Sequence, residues 1–277
     1  MSAGAERAKA TFWLVDAPDS LTVQSHREPD GTGLGWFEGE QPMLSKQPIA
    51  AYGDSTFAHE AHEVFSRTFV AHIRFASTGA LETRNTHPFE QRGRLFAHNG
   101  VIEGLDLLDT HLGAALGLVG GETDSERLFA LITAETAARG GDLKEGIAAA
   151  CSWVAQNLPV LAINFVLTTA QEVWALRYPD THDLYLLERA PGAALEHSSS
   201  LGSRVRSEHG ASRPLAVIAS ERMDADPGWR MLRSGELIQI GPSLRVHSHL
   251  ILPRAPAHPL TLADLSAHAR ASQAKTP

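Results

Sequence analysis

The order of the apolar segments is the strongest constraint on how this chain folds. Strand-like runs fill the first hundred residues, helix-like periodicity follows, and strand-like runs return from residue 161 to residue 252. That order is not the strand–helix alternation that builds parallel βαβ sheets. It points to a layered α+β fold in one domain. In the first block, Pro29-Asp30-Gly31 is a turn signal. It leads into a strand over 32–37 whose Gly33 and Gly35 mark the close approach of a backbone or a ligand. Residues 20–25 read as a short helix or strand, 55–67 as a helix, and 68–76 and 95–102 as strands. The middle block predicts helices over 105–116, over 125–138 behind a Thr123-Asp124 cap, and over 143–157 before Pro159. The last block predicts strands over 161–168, 172–178, 183–188, 214–220, 236–240 and 244–252. Residues 192–212 read as a polar loop and residues 1–10 as a frayed, charged end. Residues 253–277 read as a peripheral tail with at most a helix over 260–270.

Composition narrows the function classes. With 277 residues, 43% of them hydrophobic, the chain can bury a core without disulfides or a structural metal. Its single cysteine, Cys151, cannot form an internal disulfide, and it lies mid-helix in an apolar stretch, where a thiol is an inert small hydrophobe. A net charge of −8 with scattered Lys and Arg argues against nucleic acid as a partner. No apolar run reaches the roughly 20 residues of a membrane span, and the opening residues lack a signal-peptide core. A cytoplasmic protein without membrane contact is expected. His59-Glu60-Ala61-His62 lacks the i,i+4 spacing of a zinc helix. Gly31, Gly33 and Gly35 are not followed by a phosphate-loop pattern. No metal and no cofactor are expected. Trp36 is a core aromatic or a pocket wall.

The residues that carry chemistry lie between His72 and Asp124. They are His72-Ile-Arg74-Phe-Ala-Ser77-Thr78-Gly79, then Thr86-His87-Pro88-Phe89, then His98-Asn99-Gly100, then Thr123-Asp124-Ser125-Glu126. Singly, Asn-Gly is a turn and Thr-Asp a helix cap. In this order, the four resemble the glutaminase domain of class II glutamine amidotransferases. That domain occurs in glucosamine-6-phosphate synthase and in a small stand-alone branch that includes the amidohydrolase of ergothioneine biosynthesis. Pro29-Asp30-Gly31 with Gly33, Gly35 and Trp36, and Ala219-Ser-Glu-Arg-Met223, are further echoes. The likeness runs from about residue 10 to about residue 250.

The resemblance implies the four-layer αββα sandwich of N-terminal-nucleophile hydrolases and hydrolysis of a glutamine or γ-glutamyl side-chain amide. It implies Asn99 and the Gly100 N–H as donors to the oxyanion. Gly100 would also let the substrate approach the main chain. Arg74 would hold the substrate α-carboxylate, with Ser77 and Thr78 beside it, and Asp124 the α-ammonium. His87 would line the pocket. A synthase that accepts ammonia is the candidate protein partner. The family's nucleophile is a cysteine exposed after removal of the initiator Met, with its own α-amine as base. This chain opens Met1-Ser2-Ala3-Gly4, with neither that cysteine nor a strand-like run to present it. Four readings follow: an active enzyme whose true start lies upstream, a relative that binds its ligand without turnover, Ser2 acting as nucleophile, and an inert scaffold or subunit of an amidotransferase complex that binds no ligand. Against the third, Ala3-Gly4-Ala5-Glu6-Arg7 is a poor central strand.

Overall fold

Alternation along the strands sorts side chains onto two faces, and two large sheets use both. The computed structural model describes residues 2–77, 79–190, 195–198, 204–207 and 214–273. Its strands are β1 (Ser2–Ala8), β2 (Gly31–Glu38), β3 (Gln41–Gln47), β4 (Ser66–Arg74), β5 (Phe89–Gln91), β6 (Arg94–Ile102), β7 (Pro159–Thr168) and β8 (Val173–Arg177). They continue with β9 (Tyr185–Arg189), β10 (Leu195–Ser198), β11 (Arg204–Ser207), β12 (Leu215–Ala219), β13 (Arg230–Met231), β14 (Glu236–Ile240), β15 (Val246–Leu250) and β16 (His258–Pro259). Helices are α1 (Leu21–Gln24), α2 (Ser55–Glu63), α3 (Leu105–Leu112), α4 (Asp124–Ala138), α5 (Leu143–Asn157) and α6 (Ala267–Gln273), with a π-helical turn at Phe12–Asp16. The first sheet runs β13-β9-β12-β1-β4-β2-β3 and the second β15-β14-β8-β7-β6-β5. Among the described residues, no helix is long and apolar enough to cross a membrane.

The layers follow from which residues meet. Phe69 and Ile73 of β4 pack with Leu34 and Trp36 of β2 against Phe57 and Ala61 of α2, outside the first sheet. Val70 of β4 turns the other way, onto Leu95 and Ala97 of β6. Phe96 of β6 and Phe165 of β7 pack away from the first sheet, against Phe129 of α4 and Cys151 of α5. Between the sheets, Val166, Ala175 and Ile238 meet Leu186, Ala216 and Ile218. Helices, sheet, sheet, helices: this is the αββα sandwich. Trp36 is a core residue, 9% exposed, with its indole donating to Glu38.

The N-terminal segment departs from expectation. Ser2–Ala8 is no frayed end but a strand between β4 and β12, with Ser2 opposite Phe69 on one side and Val217 on the other. Pairing on both edges satisfies its backbone, which outweighs the weak strand propensity of Ser-Ala-Gly-Ala. Arg7 donates to the Phe65 carbonyl at 3.1 and 2.7 Å and ties down its end. Edge strand β3, not foreseen, pairs with β2. Within the expected loop 192–212, β10 and β11 pair with each other, and the rest lies outside the described residues.

Candidate active site

Face parity gathers the site. Val70, His72 and Arg74 of β4, Ala97 and Asn99 of β6, Asn164 and Val166 of β7, and Ile218 of β12 all line one cavity between the sheets, about 1180 Å³ including its open mouth. Arg74, Ser77, His87, Asn99, Gly100 and Asp124 of the sequence motifs reach this cavity. Thr78 lies outside the described residues.

Arg74 ends β4 and is 4% exposed. Its terminal nitrogens donate to the carbonyls of Ala80 at 3.1 Å and Gly79 at 3.3 Å, so the following loop sets the guanidinium plane. That loop is itself held. Asp30 accepts from Ala76 N–H at 2.9 Å, and Glu122 accepts from Ala80 N–H at 3.0 Å and Asn85 Nδ2 at 3.1 Å. These donors hold the Glu122 carboxyl below its ordinary value. Asp30 of the Pro29-Asp30-Gly31 turn and Glu122, just before the Thr123 cap, are therefore part of the support of Arg74.

Asp124 opens α4, behind Thr123, whose hydroxyl accepts from Glu126 N–H. One carboxylate oxygen accepts from Ile102 N–H at 2.9 Å and the other from Ser125 N–H at 2.9 Å. The carboxylate thus pins the helix start to the end of β6. It is 2% exposed.

Three histidines lie behind these charges. The His72 and His87 rings stand 4.2 Å apart, and His98 Nδ1 lies 2.9 Å from Ser125 Oγ with Nε2 3.2 Å from the Ala162 carbonyl. Burial, helped by neighbouring positive charge, pushes the His72 imidazole down to about 3. Burial likewise carries His87 well below its ordinary value and lowers His98, despite the opposing pull of Asp124. All three are neutral at pH 7, so Arg74 supplies the fixed positive charge at this end of the cavity. The His87 backbone is positioned by Gly33: a Cβ there would meet the His87 carbonyl oxygen at 1.9 Å. The glycine signal in β2 marks a backbone approach.

Asn99 is exposed to the cavity, and Gly100 follows it in β6. Strand packing gives this glycine a reason that its sequence motif does not express. A Cβ on Gly100 would lie 2.0 Å from the Ala162 carbonyl oxygen of β7 and 2.9 Å from His98 Nε2. The missing side chain therefore permits contact with β7, and Gly100 also lines the cavity. Opposite Asn99 sits Asn164, 1% exposed, which accepts from Tyr178 N–H and donates to the His182 and Asp183 carbonyls. Cys151 is fully buried among the α5 core residues, and burial raises its thiol far above the ordinary value, so it is no nucleophile.

The outer part of the cavity comes from residues the motifs did not announce. Gln24, Glu28 and Asn164 line it, as do Ser272 and Gln273 of α6. Ser220 and Glu221 belong to the 219–223 echo and line it too. Burial, then repulsion from Glu221, pushes the half-buried Glu28 carboxyl up to about 7.

The sequence matches the family model of class-II glutamine amidotransferases over residues 20–247. It is 28% identical over 247 residues to gamma-glutamyl-hercynylcysteine sulfoxide hydrolase of Mycobacterium tuberculosis H37Rv, covering 86% of this chain and 89% of that one. Two solved structures share the fold. A glutamine aminotransferase class-II domain protein of Silicibacter pomeroyi superposes with a TM-score of 0.57 at 23% identity, over 81% of this chain and 92% of that one. The allosteric regulatory enzyme of purine biosynthesis superposes with a TM-score of 0.66 at 20% identity, over 92% of this chain and 49% of that one.

Proposed function

The chain belongs to the class-II glutamine amidotransferases, and from that premise we propose that its cavity binds glutamine or a γ-glutamyl amide by the zwitterionic end and hydrolyses the side-chain amide. One observation carries this reading: Arg74, Asp124, Asn99 and Gly100 line a single cavity. A buried cation and a buried anion in one pocket suit an α-carboxylate and an α-ammonium. Asn99 Nδ2 and the Gly100 N–H are the donors for the oxyanion. The M. tuberculosis relative is named for a γ-glutamyl substrate, which supports the γ-glutamyl class without fixing the amine.

In the proposed reaction a thiolate attacks the side-chain carbonyl carbon, forming a C–S bond and an oxyanion held by Asn99 and Gly100. The thiol proton, taken by an α-amine, passes to the departing nitrogen as the C–N bond breaks. Water then cleaves the thioester and releases glutamate. Ammonia, where glutamine is the substrate, passes to solvent or to a synthase partner.

The register of β1 supports a source for the thiol. Ser2 stands opposite Phe69 and Val217. Further along the same slot, between 70–74 and 218–220, both walls line the cavity. Arg74 lies five residues beyond Phe69 (74 − 69), about 17 Å of strand. We infer that the nucleophile is a cysteine on chain upstream of Met1 that enters by this slot. Ser2 is paired too far back for the role. The rival reading, a relative that binds without turnover, is favoured by the burial of the one cysteine, Cys151.

The test is the intact mass of the protein from its native host, followed by assay of ammonia and glutamate release. A heavier chain beginning with Cys and active on glutamine or γ-glutamyl amides supports hydrolysis. A chain beginning at Met1 or Ser2 that binds glutamine without turnover establishes the rival. Arg74→Ala is expected to abolish binding in either case; retained binding would remove the zwitterion pocket from both.

A further inference from the structure

The cavity adjoins a second one, and the two share part of their walls. Arg74 and Asp124 line one end. Asn99, where the amide carbon would sit, is shared with a second cavity of about 610 Å³ that lacks Arg74 and Asp124. Its walls are Glu28, Glu221, Ser220, His182, Ser272 and Gln273, among others. A γ-glutamyl group anchored by its zwitterion at the first end therefore directs the amine half of its amide into this second chamber. Free glutamine leaves the chamber empty.

One wall of the chamber lies beyond residue 247, where the family match ends. The C-terminal segment returns to the site by a chain of specific contacts. Tyr178 Oη donates to the Arg254 carbonyl at 2.9 Å, and Ala257 N–H donates to Ala155 O at 2.8 Å. β16 then pairs with Pro159 and Val160 of β7. Leu265 and Ala269 are buried against Val101 of β6 and Leu161 of β7, close in sequence to Asn99 and Asn164. Arg270 donates to the carbonyls of Leu262, Ala263 and Leu265. At the end of α6, Gln273 Oε1 lies 2.8 Å from His182 Nε2. The His182 carbonyl accepts from Asn164, the residue opposite Asn99.

We propose that α6 completes a subsite for the amine portion of the substrate, and that Ser272 and Gln273 are specificity-determining residues for it. The subsite takes a γ-glutamyl amide whose amine portion is larger than ammonia and polar, because its walls are carboxylates, amides and hydroxyls. This rests on the zwitterion pocket proposed above.

The experiment is calorimetric titration of the full chain with glutamine and with γ-glutamylserine, a polar γ-glutamyl amide. The dipeptide is expected to bind at least tenfold more tightly than glutamine. Gln273→Ala is expected to cut that ratio about tenfold, and Gln273→Glu, which keeps an oxygen for His182, to retain most of it. Equal affinity for the two ligands in the unaltered chain overturns the subsite while leaving the zwitterion pocket standing. So does a Gln273→Ala variant that weakens both ligands equally, which is the mark of a merely structural helix. Failure of both ligands to bind overturns the zwitterion pocket and the subsite together.

Discussion

Gly100→Ala tests the claim that this glycine serves the β6–β7 contact. The added Cβ would sit 2.0 Å from the Ala162 carbonyl oxygen and 2.5 Å from its carbon, where ordinary contact is 3.4–4 Å. The obstructing atoms are backbone, so no side-chain rotation relieves the overlap. The strands must part by more than an ångström beside Asn99. Overpacking of this kind costs about 1–3 kcal/mol, and the backbone obstruction places this case at the upper end. For a domain near this size, about 3 kcal/mol lowers the melting temperature by roughly 6–12 °C. The assay is thermal unfolding of Gly100→Ala beside Gly117→Ala, whose added Cβ meets nothing within 4 Å. The control should be neutral or stabilised by up to about 1 kcal/mol. A Gly100→Ala protein that melts with the unaltered chain, or a control that loses as much, would refute the reasoning.

Cys151→Ala should cost about 1 kcal/mol through a small cavity and leave ligand binding intact, and the native thiol should resist alkylation until the protein unfolds. Glu28, raised to about 7 from 4.5, contributes stability that is fully present below about 4.5 and lost as pH rises through about 7. Glu28→Gln removes that loss, so its melting temperature should gain on the unaltered chain between pH 5 and pH 8; a constant gap would remove the buried-carboxyl argument. His87 has the opposite sign: its folded value lies below 6.5, so stability is present above 6.5 and lost as pH falls. Both its ring nitrogens are buried without a hydrogen-bond partner. His87→Phe should therefore be tolerated at pH 7.5 and should flatten the acid limb of the melting curve below pH 6.5. An unchanged acid limb would show that this ring is not held neutral by the fold.

Local chemistry was legible in the sequence because it acts over a few residues. The Thr123 cap of α4 is one case, settled by Glu126 three residues on. So was the α+β order of strands and helices, since burial periodicity is written residue by residue. The roles of Arg74, Asn99, Gly100 and Asp124 came from ordered motifs, and the structure brings all four to one cavity. What the sequence could not express is pairing between distant segments. Ser2–Ala8 has poor strand propensity and still becomes a central strand, because β4 and β12 offer hydrogen-bonding edges on both sides. Nothing near Gly100 in the chain announces that a side chain there would collide with β7. Asn164, His182 and Gln273 carry no motif, and they meet near Asn99 only because β7 lies beside β6 and the C-terminal segment folds back along β7. The sequence by itself determined most of the element types and placed the polar residues of the central motifs at fixed spacings, both local properties. Tertiary structure alone decided which faces meet and which remote residues wall the cavity, because those depend on contacts between segments that share no local signal.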